Sequence, residues 1–367
     1  MAYTDIDKSD DYFNTILWTG DGTSSRALTG LGFQPDMVWT KRRSTADNHH
    51  LFDSVRVVSS VPQRLFPNLT NAEDGNFGSL DSFDSDGFTV GSNVATNASG
   101  ETFVGWSWKA GGTGVSNTDG SISSTVSANN TNGFSIVTYT GTGTGNSTNF
   151  KTIGTGLNEA PSFALVKTRD AISNLDDWAV YHKSINYTAY DQTMFLNTTQ
   201  ALVGGFSRGT PRCGLDGTNL SIVGSYSDLL NFDTLNCRYV AYCFAEKKGF
   251  SKFGSYKGNG SADGTFVYTG FKPAMIIVKR SDAPEYWNIL DTARADVPNA
   301  NPTDQALYAN DSSAEYSETQ GIDLVSNGFK VREGGAGWCN ASGGTYIYMC
   351  FASNPFVTST GIPTTAR

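Results

Sequence analysis

The amino-acid sequence predicts an all-β protein made of three diverged, tandem antiparallel β-sandwich (jelly-roll) repeats, and three observations carry that prediction. Glycine supplies 40 of 367 residues and aromatic side chains 12%, while charged residues reach only 17%, well under the roughly 25% of an average soluble domain. Gly, Asn, Ser and Thr in place of Ala, Glu and Lys favour strands and turns, and no long segment carries a 3.6-residue apolar period. Finally, a phrase recurs. "GFQPDMVWTKRR" from Gly32 returns as "GFKPAMIIVKR" from Gly270, with a weaker copy, "NEAPSFALVKTR", from Asn158. The lysines that close it, Lys41, Lys167 and Lys279, stand roughly 110–130 residues apart, which is the size of a domain and not of a short solenoid repeat.

Each unit opens with an aromatic strand that ends in a Gly turn: "ILWTGDG" from Ile16, "IVTYTGTG" from Ile136 and "FVYTG" from Phe266. The recurring phrase follows, with Pro35, Pro161 or Pro273 ahead of an apolar run. Proline cannot donate to a ladder, so it suits the start of a strand. Next come "HLFDSVR", "WAVYHKS" and "WNILDTAR", two of which share Asp-x-x-Arg as Asp53 with Arg56 and Asp291 with Arg294; the middle copy has His182 and Ile185. "SDGFTVG", "LDGTNLSIVG" and "SNGFKVR" are hairpin signals, because Asp-Gly and Asn-Gly suit tight turns with positive φ. An apolar strand, "ETFVGWSWKAGG", "RYVAYCFAEKKG" or "TYIYMCFASNPF", closes the unit. The Gly-rich stretches from Lys109 and Glu246 then serve as joints. The predicted organisation is 1–112, a divergent 113–247, 248–356, and a polar tail or arm over 357–367.

One strand is unusual. Ala274 to Val278 are apolar in succession, whereas a strand with one wet face alternates. Its outer face therefore needs cover from a loop, a neighbouring unit or another chain.

The chemistry-bearing residues point to scaffold. A net charge of −9 without a basic block excludes a phosphate-tracking surface, so no nucleic-acid partner is expected. The polar N-terminus and the lack of any long apolar run argue against an export signal and membrane insertion. Five cysteines show no ligand spacing, and Cys243 and Cys350 match Ser107 in the closing strands, a place for a small packed side chain. His49, His50 and His182 lack GxSxG or HExxH partners, so they are assigned to surface or strand-edge packing. The acids in "DSFDSDGF" from Asp81 do not follow the EF-hand pattern and suit a solvated hairpin turn. Residues three apart in a strand face opposite ways, so a direct Asp-x-x-Arg pair requires the chain to bend; structural pairing is favoured over ligand contact. Asn-x-Ser/Thr sequences recur from Asn68 to Asn340 and are attributed to an Asn/Ser/Thr-rich surface. No catalytic, metal or cofactor-binding residue is assigned. Pro35, Lys41, Asp53, Arg56, Pro161, Lys167, Pro273, Lys279, Asp291 and Arg294 form a structural repeat signature.

Taken together, "MAYTDIDKSDDYFNTILWTG", "GFQPDMVWTKRR", "HHLFDSVR", "SFDSDGFTVG", "FVGWSWKAGG", "SKFGSYKGNGSADGTFVYTGFKPAMIIVKR" and "YIYMCFASNPF" resemble a repeat family of virion structural and tail-fibre-like proteins of tailed bacteriophages of marine bacteria and cyanobacteria. The resemblance implies a lectin-like β-sandwich on the virion exterior, assembled in the bacterial host cytoplasm, and it supplies no catalytic site. Expected partners are other virion proteins, further copies of the chain, and a host-surface glycan or protein. The expected function is a non-enzymatic fibre or appendage part that contributes to host attachment, with capsid decoration as the alternative.

Overall fold

The computed structural model describes residues 4, 6–75, 78–142, 151–172, 176–185, 193–202, 213–222, 236–295, 301 and 303–355. The predicted tail lies outside them. Among the described residues the regular secondary structure is nearly all strand, with one four-residue α-helix, Val94–Asn97, and one 3-10 turn. No helix among them is long and apolar enough to cross a membrane.

The same sandwich is built three times. In the first unit a five-stranded antiparallel sheet runs Phe13–Thr19, Thr102–Trp108, Met37–Arg42, His50–Val58, Val61–Leu65, and a three-stranded sheet runs Arg26–Thr29, Gly87–Val90, Ser82–Asp84. The second unit repeats the order with Phe134–Thr140, Arg238–Phe244, Phe163–Thr168, Ala179–His182 and Met194–Phe195, extended to seven strands by Ser124–Asn129 and Val115–Asn117. Its small sheet is Lys151–Ile153, Asn219–Ile222, Cys213–Asp216. In the third unit the order is Ser251–Lys257, Thr345–Pro355, Phe271–Arg280, Asn288–Asp291, Thr303–Tyr308; here Tyr316–Val325 also pairs with Thr303–Tyr308, so the small sheet joins the large one in eight strands.

Four details differ from the sequence-based expectation. "FVYTG" is the edge strand of the small sheet, equivalent to Arg26–Thr29, and the opening strand of unit three is Ser251–Lys257. In unit one both strand positions end in Thr-Gly, Thr19-Gly20 and Thr29-Gly30, so the Thr269-Gly270 ending of "FVYTG" does not by itself tell one from the other. The two Gly-rich joints also contain strands: Val115–Asn117 pairs with Ser124–Asn129, and Ser251–Lys257 pairs with the closing strand. Pro35 and Pro161 sit two residues before their strands, whereas Pro273 lies inside Phe271–Arg280 at a register irregularity; the bulge removes the need for its missing N–H. Finally, of the hairpin glycines Gly217 sits in the turn itself, at φ +61°, whereas Gly87, at φ +154°, and Gly328 lie past the turn. Gly87 and Gly328 begin the returning strands, where a Cβ would lie 1.9 Å from the Leu28 carbonyl oxygen and 2.0 Å from that of Val267. They are needed for close backbone approach.

The unbroken apolar run is explained by what lies on each side of it. Met275 and Ile277 face a core shared by all three units, while Ile276 and Val278 face the small sheet of their own unit with Phe329 and Val331. Met37 and Trp39 against Val38, and Phe163 and Leu165 against Ala164 and Val166, divide in the same way. The second cover comes from the sister units. Across the phrase and closing strands the inward pairs are Trp39 with Trp106, Leu165 with Tyr242, and Ile277 with Met349. Where the units meet, Trp108, Phe244 and Phe351 touch pairwise, with centroids 6.3, 5.6 and 5.7 Å apart. The cavity beside them is lined by apolar side chains and holds about 10 Å³, no more than one water.

Candidate functional site

The polar residues that the repeats share converge on the boundaries between units. His49, Trp178 and Trp287 occupy one repeat position, just before or near the start of the fourth strand. Through its ring nitrogen each reaches a backbone carbonyl of the preceding unit in the cycle: His49 Nε2 to Tyr308 at 2.8 Å, Trp178 Nε1 to Phe66 at 2.9 Å, Trp287 Nε1 to Phe195 at 2.9 Å. Unit one thus holds three, two holds one, and three holds two. Three like contacts in one sense close a ring, as in a cyclic oligomer. Because Trp39 Nε1 donates to His49 Nδ1 at 2.9 Å, the imidazole proton sits on Nε2, which donates to Tyr308. Each clamp residue is in turn held by an asparagine: the amide oxygens of Asn68, Asn197 and Asn310 accept from the backbone N–H groups of His49, Trp178 and Trp287 at 3.0, 2.9 and 2.8 Å.

The lysines follow from strand alternation. Lys41 continues the inward row of Met37 and Trp39, so it is carried to the boundary; Lys167 and Lys279 are placed alike, and all three are buried. Lys167 Nζ donates to the Thr70 carbonyl of unit one at 3.1 Å, and Lys279 Nζ to the Thr199 carbonyl of unit two at 3.2 Å. Each also donates to the carbonyl of the next residue, Thr168 or Arg280, as Lys41 does to Arg42 at 2.6 Å. Burial pulls all three ammonium groups down to about 8.

The Asp-x-x-Arg pairs are direct, and the bend they require is present. Asp53 Oδ1 accepts the N–H groups of Val55 and Arg56, and Asp291 Oδ1 those of Ala293 and Arg294, which bends the chain locally, at a register irregularity inside His50–Val58 in unit one and just past Asn288–Asp291 in unit three. The Arg56 Nε then lies 2.6 Å from Asp53 Oδ2, and Arg294 Nε 2.5 Å from Asp291 Oδ2, all fully buried. Each carboxylate also takes a donor from the neighbouring unit's closing strand: Tyr242 Oη at 2.6 Å for Asp53 and Trp106 Nε1 at 2.9 Å for Asp291. Burial drives the Tyr242 phenol well above its usual range. Glu73 joins Arg56 and Arg169 at 3.0 and 2.7 Å, and Glu315 joins Arg294 and Arg43 at 2.8 and 2.6 Å. These two networks tie unit one to two and unit three to one.

The remaining boundary explains the divergence of unit two. The position of Trp106 and Tyr242 is Met349 in unit three, which has no N–H or O–H to offer a carboxylate. Opposite it stands His182 in place of Asp, with its Nε2 3.0 Å from the Tyr348 carbonyl oxygen. Donor and acceptor have been lost together. The histidines are buried and not at the surface: His49 and His182 lie at boundaries, a correction that follows from the unit-on-unit packing, and His50 is buried within unit one. Burial lowers His182 to about 4 and His50 to about 3, and holds His49 well below its usual value. His50 packs against Phe66, with ring centroids 5.4 Å apart.

The other marked residues are occupied locally. Asp84 accepts from Ser82 and Thr89 hydroxyls, each at 2.7 Å, and Asp86 from the Gly30 and Gly32 N–H groups at 3.1 and 2.7 Å. Cys243, Cys350 and Ser107 are all buried, and burial pushes the Cys243 thiol up to about 12. Among the described residues no three His, Cys, Asp or Glu side chains are grouped to hold a metal. Most tryptophans are core; among the described residues the large aromatics left exposed are Phe266, Tyr268 and Tyr286, the last stacked on Tyr308 at 4.1 Å.

Two open grooves mark the outside. One, of about 490 Å³, lies in unit one between the hairpin over residues 57–62 and the strand Ser82–Asp84. The other, of about 330 Å³ in unit two, is lined by Ser and Thr hydroxyls with Arg169 and Arg238. Both arginines are already paired, with Glu73 at 2.7 Å and Asp170 at 2.5 Å.

No curated protein and no solved structure matches this sequence. One family model does, over residues 8–355, which takes in all three units and the boundaries between them; the chain belongs to that family, DUF7483, a domain of unknown function.

Proposed function

We propose that this protein is a non-enzymatic structural component of a tailed-phage virion, a tail-fibre or appendage part that contributes to attachment at the host surface. The observation that carries this reading is the use of the polar repeat residues: Lys41, Lys167, Lys279, Asp53, Arg56, Asp291, Arg294, His49 and His182 are buried and bonded across or beside unit boundaries. Catalysis needs such groups convergent at an accessible cleft; here they hold a closed ring together. The motif resemblance to phage fibre-like proteins supplies the setting. Rigid β-units with their loops outward suit an exposed appendage.

Mass spectrometry of purified particles and gold-labelled imaging test the setting, and labelled protein added to host cells tests attachment. Absence from particles overturns the virion assignment, and release of reducing sugars from host polysaccharide overturns the non-enzymatic one. A second reading, capsid decoration, is favoured by the cyclic closure of three like units, which presents threefold pseudo-symmetry to a lattice of threefold sites. Label over the capsid, together with failure to bind cells, would select it.

A further inference from the structure

We propose that the groove of unit one is a binding subsite for a neutral saccharide; the proposal rests on the attachment reading and gives it a place and a ligand class. At about 490 Å³ the groove falls within the roughly 300–1,000 Å³ of small-molecule sites. Its apolar side is Val57, Pro62 and the half-buried ring of Phe83, and its polar side includes Gln34, Ser60 and Asp81. Val57 is 40% exposed, an apolar surface left open beside unengaged polar groups.

The polar side chains differ in what they have left to offer. Asp36, at the back of the groove, accepts from the Ser54 hydroxyl at 2.8 Å and from the N–H groups of Ala110 and Gly112 at 2.7 and 3.4 Å, so it belongs to the joint between units. Asp81 uses its backbone N–H to reach Thr89, while its carboxylate has no hydrogen-bond partner among the described residues. Gln34 and Ser60 are exposed, and their side chains too have no hydrogen-bond partner among the described residues. Ser59 and Ser60 form the tip of the hairpin at φ +50° and +66°, a conformation that costs non-glycine residues energy and that sets Ser60 at the groove wall.

This set matches a sugar better than other ligand classes. A carboxylate accepts from two neighbouring hydroxyls, and an amide both donates and accepts. The C–H face of a pyranose packs on an aromatic ring and aliphatic neighbours. No lysine or arginine lines the groove, and two carboxylates do, which disfavours phosphate and other anions. With Asp36 committed to N–H and O–H donors, one carboxylate remains, too few to hold a divalent cation.

The test is saturation-transfer NMR on the full chain with D-glucose, D-galactose, D-mannose and N-acetyl-D-glucosamine, alongside binding of the labelled protein to host cells. At least one sugar is expected to bind, and Asp81→Ala and Gln34→Ala are each expected to weaken it about tenfold while the thermal midpoint stays unchanged. Asp263→Ala, at an 85% exposed side chain in unit three, should leave binding intact. Should none of the four sugars bind, or should binding survive both groove substitutions, the proposal is overturned. Cell binding that is indifferent to those substitutions overturns the groove and leaves the attachment reading standing. Sugar binding that responds to them, in a protein that does not bind cells, keeps the groove and overturns attachment.

Discussion

At the scale of single residues, the buried polar groups of this protein are specific to their boundaries. Asp53 carries four hydrogen bonds, two from backbone N–H groups, one from Arg56 and one from Tyr242. Removing one member strands the others. Arg56→Ala is expected to lower stability by about 3–5 kcal/mol, the usual cost of leaving a buried charge unpaired, and Tyr242→Phe by about 1–3 kcal/mol; urea unfolding measures both. A loss under ~1 kcal/mol for Arg56→Ala would mean that water reaches Asp53. The buried histidines predict acid sensitivity. For His182 the folded value, about 4, lies below the unfolded ~6.5. Between them the unfolded chain binds the extra proton, so its contribution is complete above pH ~6.5 and is lost as pH falls toward 4, by up to about 1.4 kcal/mol per pH unit. The difference in unfolding free energy between wild type and His182→Gln should therefore shrink from pH 7 to 5. A constant difference would show that His182 is not desolvated.

At the scale of elements, the phrase strand is the part each unit lends to the whole. Its residues alternate between the sister units and the unit's own small sheet, and only its closing lysine is polar within the inward row. Ile277→Glu places a carboxylate in the shared core, where Ile277 is 4% exposed, and is expected to cost on the order of 4 kcal/mol or more. Val115→Glu, on an edge strand and 64% exposed, should change stability by less than about 0.5 kcal/mol. Thermal unfolding compares the two. Equal midpoints would contradict the double cover of this strand.

At the scale of the molecule, three sandwiches share one core, so no unit is complete alone. Met37, Trp39, Leu51, Trp106 and Trp108 of unit one all pack into the common cluster. A fragment of residues 1–112 would expose them. It is expected to aggregate or to bind a hydrophobic dye, while the full chain unfolds in a single cooperative step by circular dichroism. A soluble fragment with native-like melting would show that the units are energetically independent.

The all-β class, the three-fold repetition and the double cover of the phrase strand were determined by the sequence alone, because period, turn residues and an unbroken apolar run are local properties. The requirement that Asp-x-x-Arg bend the chain was legible for the same reason. Which partner supplied the second cover was not: a continuous run such as Ala274 to Val278 states that both faces are dry and is silent on whether another chain or a sister unit covers them. The tertiary structure also decided what His49 is for, since its equivalence to Trp178 and Trp287 appears only when all three reach a neighbour's carbonyl. A signal was present in the sequence, the Asn-x-Ser/Thr at Asn68, Asn197 and Asn310 in matching places, but it resembled surface composition. The groove of unit one was hidden for a similar reason. Gln34, Val57 and Asp81 are far apart in the chain, and only the packing of two sheets brings them to one groove.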